Sequence, residues 1–278
     1  MIVHFLLESA IHVMESINRQ TWRNPWALRD YRRSSGYLNE GERAAFAIAA
    51  PQTGRGRILD IGVGGGRTAQ LLRDVASDYI GIDYTPEMVA LCRKNHPDLR
   101  FEHRDARDLS AFRDASFDMV VFSYNGIDSV DAAGRLAILK EVARVLVSGG
   151  AFVFSTFHRG WGGFDHRIDY RRLEWTSNPV RLGLRTLRYV EGRISGTLRQ
   201  RRLRPLEERD GEHAILLHGA DDFGVMVYAT TPAQVQSQLA DAGFAMPGLL
   251  LDLDGKPIGA VASSEHEYFH VVAHKPGL

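Results

Sequence analysis

The residues of this sequence best suited to chemistry are an aspartate and a group of glycines that follow an apolar segment. Residues 58–72 read ILDIGVGGGRTAQLL, with Asp60 ahead of four glycines in five positions (62, 64, 65 and 66). Glycines after a buried strand let a ligand approach the backbone and leave the next helix N-terminus open to it. A carboxylate beside such a loop repels a pyrophosphate and attracts a cation. The pattern therefore predicts a ligand with a cationic end and no phosphate near Asp60.

The common phosphate-binding patterns do not fit these residues. Aligning Gly62-x-Gly64 with the dinucleotide fingerprint GxGxxG places Arg67 where the third glycine belongs. A Walker-type GxxxxGK(S/T) sequence is also missing from the loop. The sequence therefore gives no support for a phosphate cradle.

Two further carboxylates follow the next predicted strands. Asp83 ends the segment YIGID, 17 residues after Gly66, where a carboxylate can accept hydrogen bonds from both hydroxyls of a ribose. Asp105, with Ala106 after it, follows the segment LRFEHRD. Its charged neighbours also fit an ordinary polar loop, so Asp105 becomes informative only together with the other two acids.

The row Asp60-x-Gly62-x-Gly64-x-Gly66 resembles motif I of the class I S-adenosylmethionine (SAM)-dependent methyltransferases. The turn LVSGG before the fifth predicted strand resembles a later motif of that family, with Ser148 in place of its proline. The resemblance covers residues 57–157 and, more loosely, the last strand–helix–strand. It implies an α/β fold with a Rossmann-like, doubly wound, mostly parallel seven-stranded sheet and an antiparallel edge strand.

The resemblance also implies a cofactor, SAM, whose product is S-adenosylhomocysteine (SAH), and it implies which residues hold it. Asp60 and the glycines would lie at the methionine end, and Asp83 would bind the ribose. Asp105 would bind the adenine amino group, and the backbone amide of Ala106 a ring nitrogen. Ser123 begins the loop SYNGID, which would line the methionine end and the acceptor pocket. Further candidates are Tyr84, for stacking on adenine, and Tyr31, Arg33 and Tyr37, for the cofactor carboxylate.

Short apolar runs that alternate with helical segments from residue 57 onward predict a parallel sheet with crossover helices. The predicted strands are RILDIG, YIGID, LRFEHRD, FDMVVFS, AFVFSTF, FGVMVYAT and YFHVVAHK. Helices are predicted to begin at a capping box formed by Asn39 and Glu42, at Pro86, at Asn178-Pro179 and at Thr231-Pro232. The pair Asp210-Gly211 predicts a hairpin.

Four parts are expected along the chain. Residues 1–56 would form an N-terminal helical lid and residues 57–157 the SAM-binding core. Residues 158–217 would form an inserted substrate cap, and residues 218–278 a strand–helix–strand that completes the core sheet. The cap holds 13 arginines against 8 acidic residues. A solvated basic face is the expected reason, and recognition of a carboxylate, a phosphate or an RNA backbone is the alternative.

The acceptor side is less defined, because methyl transfer mainly requires alignment of the nucleophile and exclusion of water. A base is needed only where the acceptor is protonated. His158, directly after the fifth strand, is the candidate for a base or an acceptor-orienting group, with a surface or capping role as the alternative. Other pocket candidates are Trp161, His166, Trp175, His218 and Asp222. The loop SYNG at 123–126 lacks the proline pair of many methyltransferases that act on bases or protein glutamine, which favours a small-molecule acceptor.

Composition sets the expected partners and location. Lysine plus arginine equals aspartate plus glutamate at 34 each, so no overall field draws the protein to nucleic acid or membrane. Nucleic acid is therefore disfavoured as a partner, no membrane partner is expected, and a homodimer is allowed.

Cys92 is the one cysteine and is expected to pack inside a helix, which fits a reducing cytoplasm. The sequence has no CxxC or HExxH spacing, so no metal is expected. The segment MIVHFLLESAIHVM reads as an amphipathic helix.

The sequence thus predicts a cytoplasmic SAM-dependent methyltransferase (a transferase of class EC 2.1.1) that methylates an O or N atom of a small metabolite, such as a secondary metabolite. Three alternatives stay open. The protein could consume SAM as a lyase, a cyclase or a rearrangement enzyme, it could methylate RNA through the arginine-rich cap, or it could bind SAM without turnover.

Overall fold

The computed structural model describes residues 13–24, 28, 36–50, 55–166, 168–259 and 263–277. Its central sheet includes the strand order β3-β2-β1-β4-β5-β10-β9. The strands of its parallel part are β1 (Gly56–Ile61), β2 (Ala76–Asp83), β3 (Arg100–His103), β4 (Phe117–Phe122) and β5 (Leu146–His158). Because β1 lies between β2 and β4, the chain reverses its direction of winding beside β1, and ligands of open α/β sheets bind at that switch point.

Helices cover both faces of the sheet. They are α1 (residues 13–22), α2 (Glu40–Ala49), α3 (Ala69–Val75), α4 (Pro86–Asn95), α5 (Ala132–Val145), the single turn α6 (Gly163–His166), α7 (Pro179–Leu203) and α8 (Pro232–Asp241). The predicted N-terminal caps are confirmed: Asn39, Asn178 and Thr231 each accept a hydrogen bond from a backbone amide in the first turn of their helix. Cys92 is fully buried in α4, as expected.

The sheet ends in two antiparallel pairs. Strand β10 (Tyr268–His274) runs antiparallel to β5 over its whole length, and β9 (Leu249–Leu251) pairs antiparallel with β10 at the edge. The prediction of a mostly parallel sheet with an antiparallel edge is confirmed, but the sheet has ten strands and not the predicted seven. The short strand β9 was not predicted, because three leucines in a row carry no alternation by which to recognise a strand.

The predicted strand FGVMVYAT forms β8 (Val225–Thr230), which belongs to the same sheet through a short parallel pairing with the end of β5. It pairs antiparallel with β7 (His213–His218), which in turn pairs with the two-residue strand β6 (Glu208–Arg209) through the predicted hairpin. Strand β5 extends past the end of β4, and this exposed edge binds β8 at two residues. The predicted strand–helix–strand is β8–α8–β10 in chain order. Both of its strands pair with β5, and β9 pairs with β10. The expected boundary at 217/218 falls inside strand β7, and the domain limits remain predictions.

Two layers of core side chains lie on opposite faces of β5, as its alternation requires. Phe152 and Phe154 pack towards α5 and α8, whereas Ala151 and Val153 pack towards α2 and α3. A third cluster joins β7 and β8 to the end of β5. This alternation decides on which face each residue at the end of β5 lies.

The predicted helical character of the N-terminal part is confirmed for α1 and α2. The amphipathic segment at residues 1–12 and the candidates Tyr31 and Arg33 lie outside the described residues. Among the helices that the structure describes, none combines the length and the apolar character that spanning a membrane requires.

Candidate functional site

The glycine loop leaves β1 in a conformation that few other residues adopt. Gly62, Gly64 and Gly66 have φ values of 64°, 52° and 83°, in the left-handed region that favours glycine. A Cβ atom at Gly62 would also lie 2.5 Å from the Phe122 ring. The loop therefore needs glycine at position 62, because the backbone is left-handed there and because the Phe122 ring of β4 leaves no room for a side chain.

Asp60 lies at the end of β1 beneath this loop and is 1% exposed. Its Oδ2 accepts hydrogen bonds from Thr68 Oγ1 at 3.0 Å and from the Tyr79 hydroxyl at 2.9 Å. Its Oδ1 is buried and accepts no hydrogen bond from the residues that the structure describes. Burial raises the pKa of Asp60 to about 7, and the two hydrogen bonds oppose that rise. The Oδ1 atom is a buried acceptor without a hydrogen-bond donor among the described residues, and a cationic donor such as an ammonium group would satisfy it.

Asp83 ends β2 and faces the same loop. Its Oδ2 accepts from the Gly64 amide at 3.0 Å and its Oδ1 from the Thr85 amide at 2.8 Å. Burial raises the pKa of Asp83, and the hydrogen bonds from the two amides act against the rise. A carboxylate has capacity for about four hydrogen bonds. Asp83 can therefore accept from ribose hydroxyls while it fixes the loop.

Asp105 and Ala106, at the predicted adenine end, meet the N-terminal helix. Arg107 NH2 lies 2.6 Å from Asp105 Oδ2, and Arg107 NH1 lies 2.5 Å from Glu15 of α1. Burial alone would raise the pKa of Asp105, but the hydrogen bonds and charge of Arg107 bring it below its usual value. Ala106 is buried beside this ion-pair chain. The pair of residues predicted to bind adenine is thus covered in part by α1.

Tyr84 also contacts α1. The Arg19 guanidinium lies 4.6 Å from the Tyr84 ring centre, and the Trp22 ring meets it edge to face at 5.9 Å. Burial raises the pKa of the Tyr84 hydroxyl. In this structure the ring packs against the lid, which is the alternative to adenine stacking.

A largely buried ion pair lies beside the predicted methionine end. Arg67 donates to both carboxylate oxygens of Glu42 in α2, at 2.6 and 2.9 Å, and to Ser123 Oγ at 3.2 Å. It also donates to the Tyr37 carbonyl, while the Tyr37 side chain is exposed. Burial would lower the pKa of Arg67, but Glu42 outweighs that effect and raises it. Ser123 and Tyr37 therefore reach the site through Arg67, which the sequence did not indicate as a site residue.

The loop after β4 holds two consecutive residues in the left-handed region. Tyr124 has φ 54° and Asn125 has φ 61°. The Asn125 amide donates to Ser155 Oγ at 2.8 Å, which fixes the turn. Non-glycine residues adopt this conformation at a cost of about 1–2 kcal/mol each. Such strain concentrates at functional sites, which agrees with the predicted role of SYNGID beside the acceptor.

An aromatic cluster lies beyond this loop, on the face of β5 that carries Phe157. The Tyr124 and Tyr268 rings are 6.3 Å apart, Tyr268 is 6.4 Å from Phe157, and Phe157 is 5.0 Å from His218. The Tyr170 ring stacks on His218 at 5.3 Å. These five rings form one contiguous cluster, of which the sequence indicated His218 and, through the loop SYNGID, Tyr124.

Glu267 is the carboxylate of this aromatic cluster. Its Oε1 accepts from the Tyr170 hydroxyl at 2.5 Å and lies 2.6 Å from His218 Nε2. His218 Nδ1 accepts from the Ala220 amide at 3.2 Å, so Nε2 carries the proton in the neutral ring. Tyr170, His218 and Trp161 also line a narrow cleft. Glu267 had no sequence signal, because it lies in a loop without a motif.

His158 lies on the opposite face of β5. Its ring packs edge to face on Phe269 at 5.6 Å, and its Nδ1 accepts from the Gly160 amide at 3.0 Å. The side chain is 1% exposed. The structure brings Asp60, Asp83 and the glycines together, but it does not bring His158 to the aromatic cluster.

Of the weaker pocket candidates, Trp161 packs on Phe164 in the cluster at the end of β5. Asp222 lies 3.4 Å from Arg171, against α7. His166 and Trp175 are exposed. Asp222, His166 and Trp175 are thus not part of the aromatic cluster.

Comparison with known proteins agrees with this geometry. Residues 58–150 match the model of a family described as a methyltransferase domain. These residues run from β1 through β5 and include Asp60, the glycine loop, Asp83 and Asp105. The match identifies residues 58–150 as a methyltransferase domain.

Curated relatives resemble this methyltransferase domain over less than half of their length. A demethylmenaquinone methyltransferase of Beutenbergia cavernae is 36% identical over 110 residues, which are 39% of this chain and 44% of that protein. A ubiquinone biosynthesis O-methyltransferase of Xanthomonas campestris is 29% identical over 107 residues, 37% and 44% of the two chains. The chain therefore spans less than half the length of the curated relatives it matches.

Solved structures resemble the whole fold. A SAM-dependent methyltransferase of Thermotoga maritima, described as a possible histamine N-methyltransferase, has a TM-score of 0.54 at 17% identity and covers 94% of this chain and 100% of its own. A 1,6-didemethyltoxoflavin-N1-methyltransferase of Burkholderia thailandensis, solved with SAH, has a TM-score of 0.54 at 14% identity and covers 96% and 90%. The predicted Rossmann-like fold is confirmed by both.

SAM is the cofactor of this methyltransferase domain class, and the residues present fit it. The buried Oδ1 of Asp60 suits the ammonium group, and the Asp83 carboxylate lies one strand away beside the loop amides. The individual roles assigned to these residues remain predictions.

Proposed function

We propose that the protein transfers the methyl group of SAM to a small aromatic molecule. The observation that carries the proposal is Asp60, whose Oδ1 is buried next to the glycine loop and has capacity for a cationic donor. SAM, when bound, supplies an electrophilic methyl group on a sulfonium. Asp60 would hold the ammonium end, Asp83 the ribose hydroxyls, and Asp105 with Ala106 the adenine.

The acceptor is proposed to bind on the Phe157 face of β5. The rings of Tyr124, Phe157 and Tyr268 offer flat apolar surfaces that suit an aromatic or quinone-type ring, which stacks or packs edge to face at such separations. The relatives named for demethylmenaquinone and ubiquinone biosynthesis support this chemical class.

The atom that receives the methyl group is proposed to be an oxygen or nitrogen on that ring. Glu267 would accept the proton that such an acceptor loses, at the carboxylate that Tyr170 and His218 hold in place. The prediction for His158 stays a prediction. We centre the proposal on Glu267 because the His158 ring faces Phe269 on the other side of the sheet.

Water exclusion would come from the lid. Glu42 of α2 and Glu15 of α1 bind Arg67 and Arg107, on either side of the cofactor residues. These ion pairs hold helices over both ends of the site, and a closed site favours displacement at the methyl group over hydrolysis.

Cofactor binding is tested by isothermal titration with SAH. Asp83→Ala should raise the Kd at least about tenfold, because hydrogen bonds to a charged group contribute about 1.5–3 kcal/mol. Asp78→Ala is the matched control, since Asp78 lies on the same strand and is exposed. Equal affinity of the Asp83→Ala variant and the parent would refute the assigned site.

Turnover is tested by mass spectrometry with a panel of hydroxylated and amino-substituted aromatic compounds. A product heavier by one methylene, formed together with SAH, supports the proposal. Release of methylthioadenosine from SAM alone would instead show a lyase or cyclase. RNA binding that weakens steeply with salt would favour the RNA methyltransferase.

A further inference from the structure

Helix α7 turns its apolar side chains towards solvent. Six residues, each between 46% and 71% exposed, form one row along it: Val180, Leu184, Leu187, Val190, Ile194 and Leu198. At about 100° per residue these six positions fall within an arc of about 120°. A surface helix of a globular protein normally directs such an arc at the core.

The opposite side of α7 anchors it to the protein. A Cβ atom on Gly196 would lie 2.7 Å from the Arg171 guanidinium, and one on Gly192 would lie 2.9 Å from Asp222. Arg199 donates to the Asp221 carbonyl at 2.8 Å, and Leu203 is buried. The two glycines are on the face about 140–180° from the centre of the apolar row. The helix is thus held with its apolar row outward.

The same helix is strongly basic. Residues 179–203 contain seven arginines and one acidic residue, Glu191, within a chain whose total charge is balanced. Arg201 and Arg202 are exposed and lie beside the C-terminal end of the apolar row. Trp175 lies just before the helix and is 79% exposed. The Arg185 side chain donates a hydrogen bond to the Trp175 carbonyl at 3.1 Å. Tryptophan beside an apolar and basic helix is typical of segments that enter the membrane interface.

We propose that α7 is a docking surface for an anionic lipid membrane. The helix would lie in the interface plane with the apolar row among the acyl chains and the arginines at the anionic headgroups. At 25 residues it presents about 37 Å of continuous surface.

A second copy of the chain is a poorer occupant of this face. Pairing two α7 helices through the apolar row would leave Arg201 and Arg202 of each copy beside the contact. The other α7 arginines add less, since Arg199 lies on the anchored face and Arg185 and Arg193 pair with Glu174 and Asp169. Like charges that flank a helix interface destabilise it. An anionic membrane suits both features of the helix, because its acyl chains accept the apolar row and its headgroups attract the arginines.

The expectation of no membrane partner rested on the balanced charge of the whole chain. The balanced total charge hides a local excess of arginine in α7. The structure shows that this helix exposes an apolar row beside the arginines Arg201 and Arg202. The proposal concerns binding alone and does not depend on the methyl transfer proposed above.

The test is vesicle co-sedimentation of the purified protein. We expect binding to vesicles of phosphatidylcholine and phosphatidylglycerol in equal parts, weaker binding to phosphatidylcholine alone, and a decrease with added salt. The double variant Leu187→Gln/Ile194→Gln should reduce the partition coefficient about tenfold or more, because binding scales with buried apolar area. Arg201→Gln/Arg202→Gln should reduce it about fivefold for each arginine.

Matched controls replace exposed residues of the same type elsewhere. Ile48→Gln/Val75→Gln and Arg43→Gln/Arg73→Gln alter α2 and α3 and should leave vesicle binding unchanged. Unchanged circular dichroism and melting temperature would show that the α7 variants are folded. The proposal is overturned by equal binding to both kinds of vesicle, or by unchanged binding of the Leu187→Gln/Ile194→Gln variant. It is also overturned if sedimentation velocity shows a dimer that this variant disperses while vesicles stay unbound.

Discussion

The carboxylate of Glu42 and the guanidinium of Arg67 form a two-point ion pair with both side chains largely buried, at 2.6 and 2.9 Å. The pair joins α2 of the lid to the first residue after the glycine loop. Glu42 was expected to complete the capping box of Asn39. Asn39 does cap the helix by accepting from the Glu42 amide at 2.8 Å, but the Glu42 carboxylate binds Arg67. Glu42 thus takes part in the helix cap through its amide and in the ion pair with Arg67 through its carboxylate.

Breaking this pair should destabilise the fold. Glu42→Gln leaves a buried guanidinium without its counter-charge, and we expect a loss of about 3 kcal/mol in the free energy of unfolding, measured by urea denaturation. Glu40→Gln is the control in the same helix. Glu40 is exposed and pairs with Arg43 at the surface, so its loss should be below about 0.5 kcal/mol. A double variant with Arg67→Gln should lose less than the sum of the two single losses.

Gly62 tests the close packing beneath the glycine loop. Gly62→Ala introduces a left-handed alanine and a methyl group 2.5 Å from the Phe122 ring. Gly149→Ala is left-handed too, with φ 75°, but its methyl group would have nothing within 4 Å. We expect about 1–2 kcal/mol of destabilisation at Gly149 and clearly more at Gly62, with loss of SAH binding only at Gly62. Equal effects in thermal melts would contradict the role of the Phe122 contact.

The raised pKa of Asp60 predicts a pH-dependent affinity. With a pKa of about 7, the unliganded protein holds a proton on Asp60 below that pH, whereas an ammonium ligand requires the carboxylate. The affinity for SAH should therefore increase as the pH rises, about tenfold per unit from pH 5.5 to 6.5, and then level off near pH 7. Titration in buffers of different ionisation enthalpy should show proton release on binding at pH 6.

Asp60→Asn provides the control for that pH profile. The variant should bind SAH more weakly and show no rise in affinity over the same range. A parent protein whose affinity stays flat between pH 5.5 and 7 would show that Asp60 is not at the ammonium group.

Variants of the aromatic cluster should change the rate of methyl transfer without changing the affinity for SAH. Glu267→Gln should lower kcat for a hydroxylated acceptor by about 10²-fold or more, the scale of general base catalysis, and leave the Kd for SAH unchanged. Tyr170→Phe removes one hydrogen bond to Glu267 and should have a smaller effect, with a shifted pH profile of kcat. A change in SAH affinity in either variant would place the cluster at the cofactor and not at the acceptor.

His158→Asn is the companion measurement. The ring lies on the opposite face of β5, so we expect a loss of stability from its buried position and a kcat within about threefold of the parent. A loss of kcat as large as that of Glu267→Gln, at unchanged stability, would favour the sequence-based prediction instead.

The sequence by itself determined the candidate residues of the cofactor site, because they follow successive strands of the chain. Asp60 and the glycines are one loop, and Asp83 and Asp105 end the next two strands, so strand periodicity and glycine spacing are enough to locate them. The helix starts at Asn39, Asn178 and Thr231 were equally readable, since capping depends on residues three apart.

Tertiary structure alone decided the acceptor side and the outer surface. Tyr124, Tyr170, His218 and Glu267 come from four separate segments, and only the position of β10 beside β5 brings them together. The face of His158 depended on the pleat of β5, which shifts to the other side with one residue of register. The apolar row of α7 is visible in the sequence, but amphipathic helices usually bury it. Its direction followed from Gly192 and Gly196, whose missing side chains let the opposite face dock.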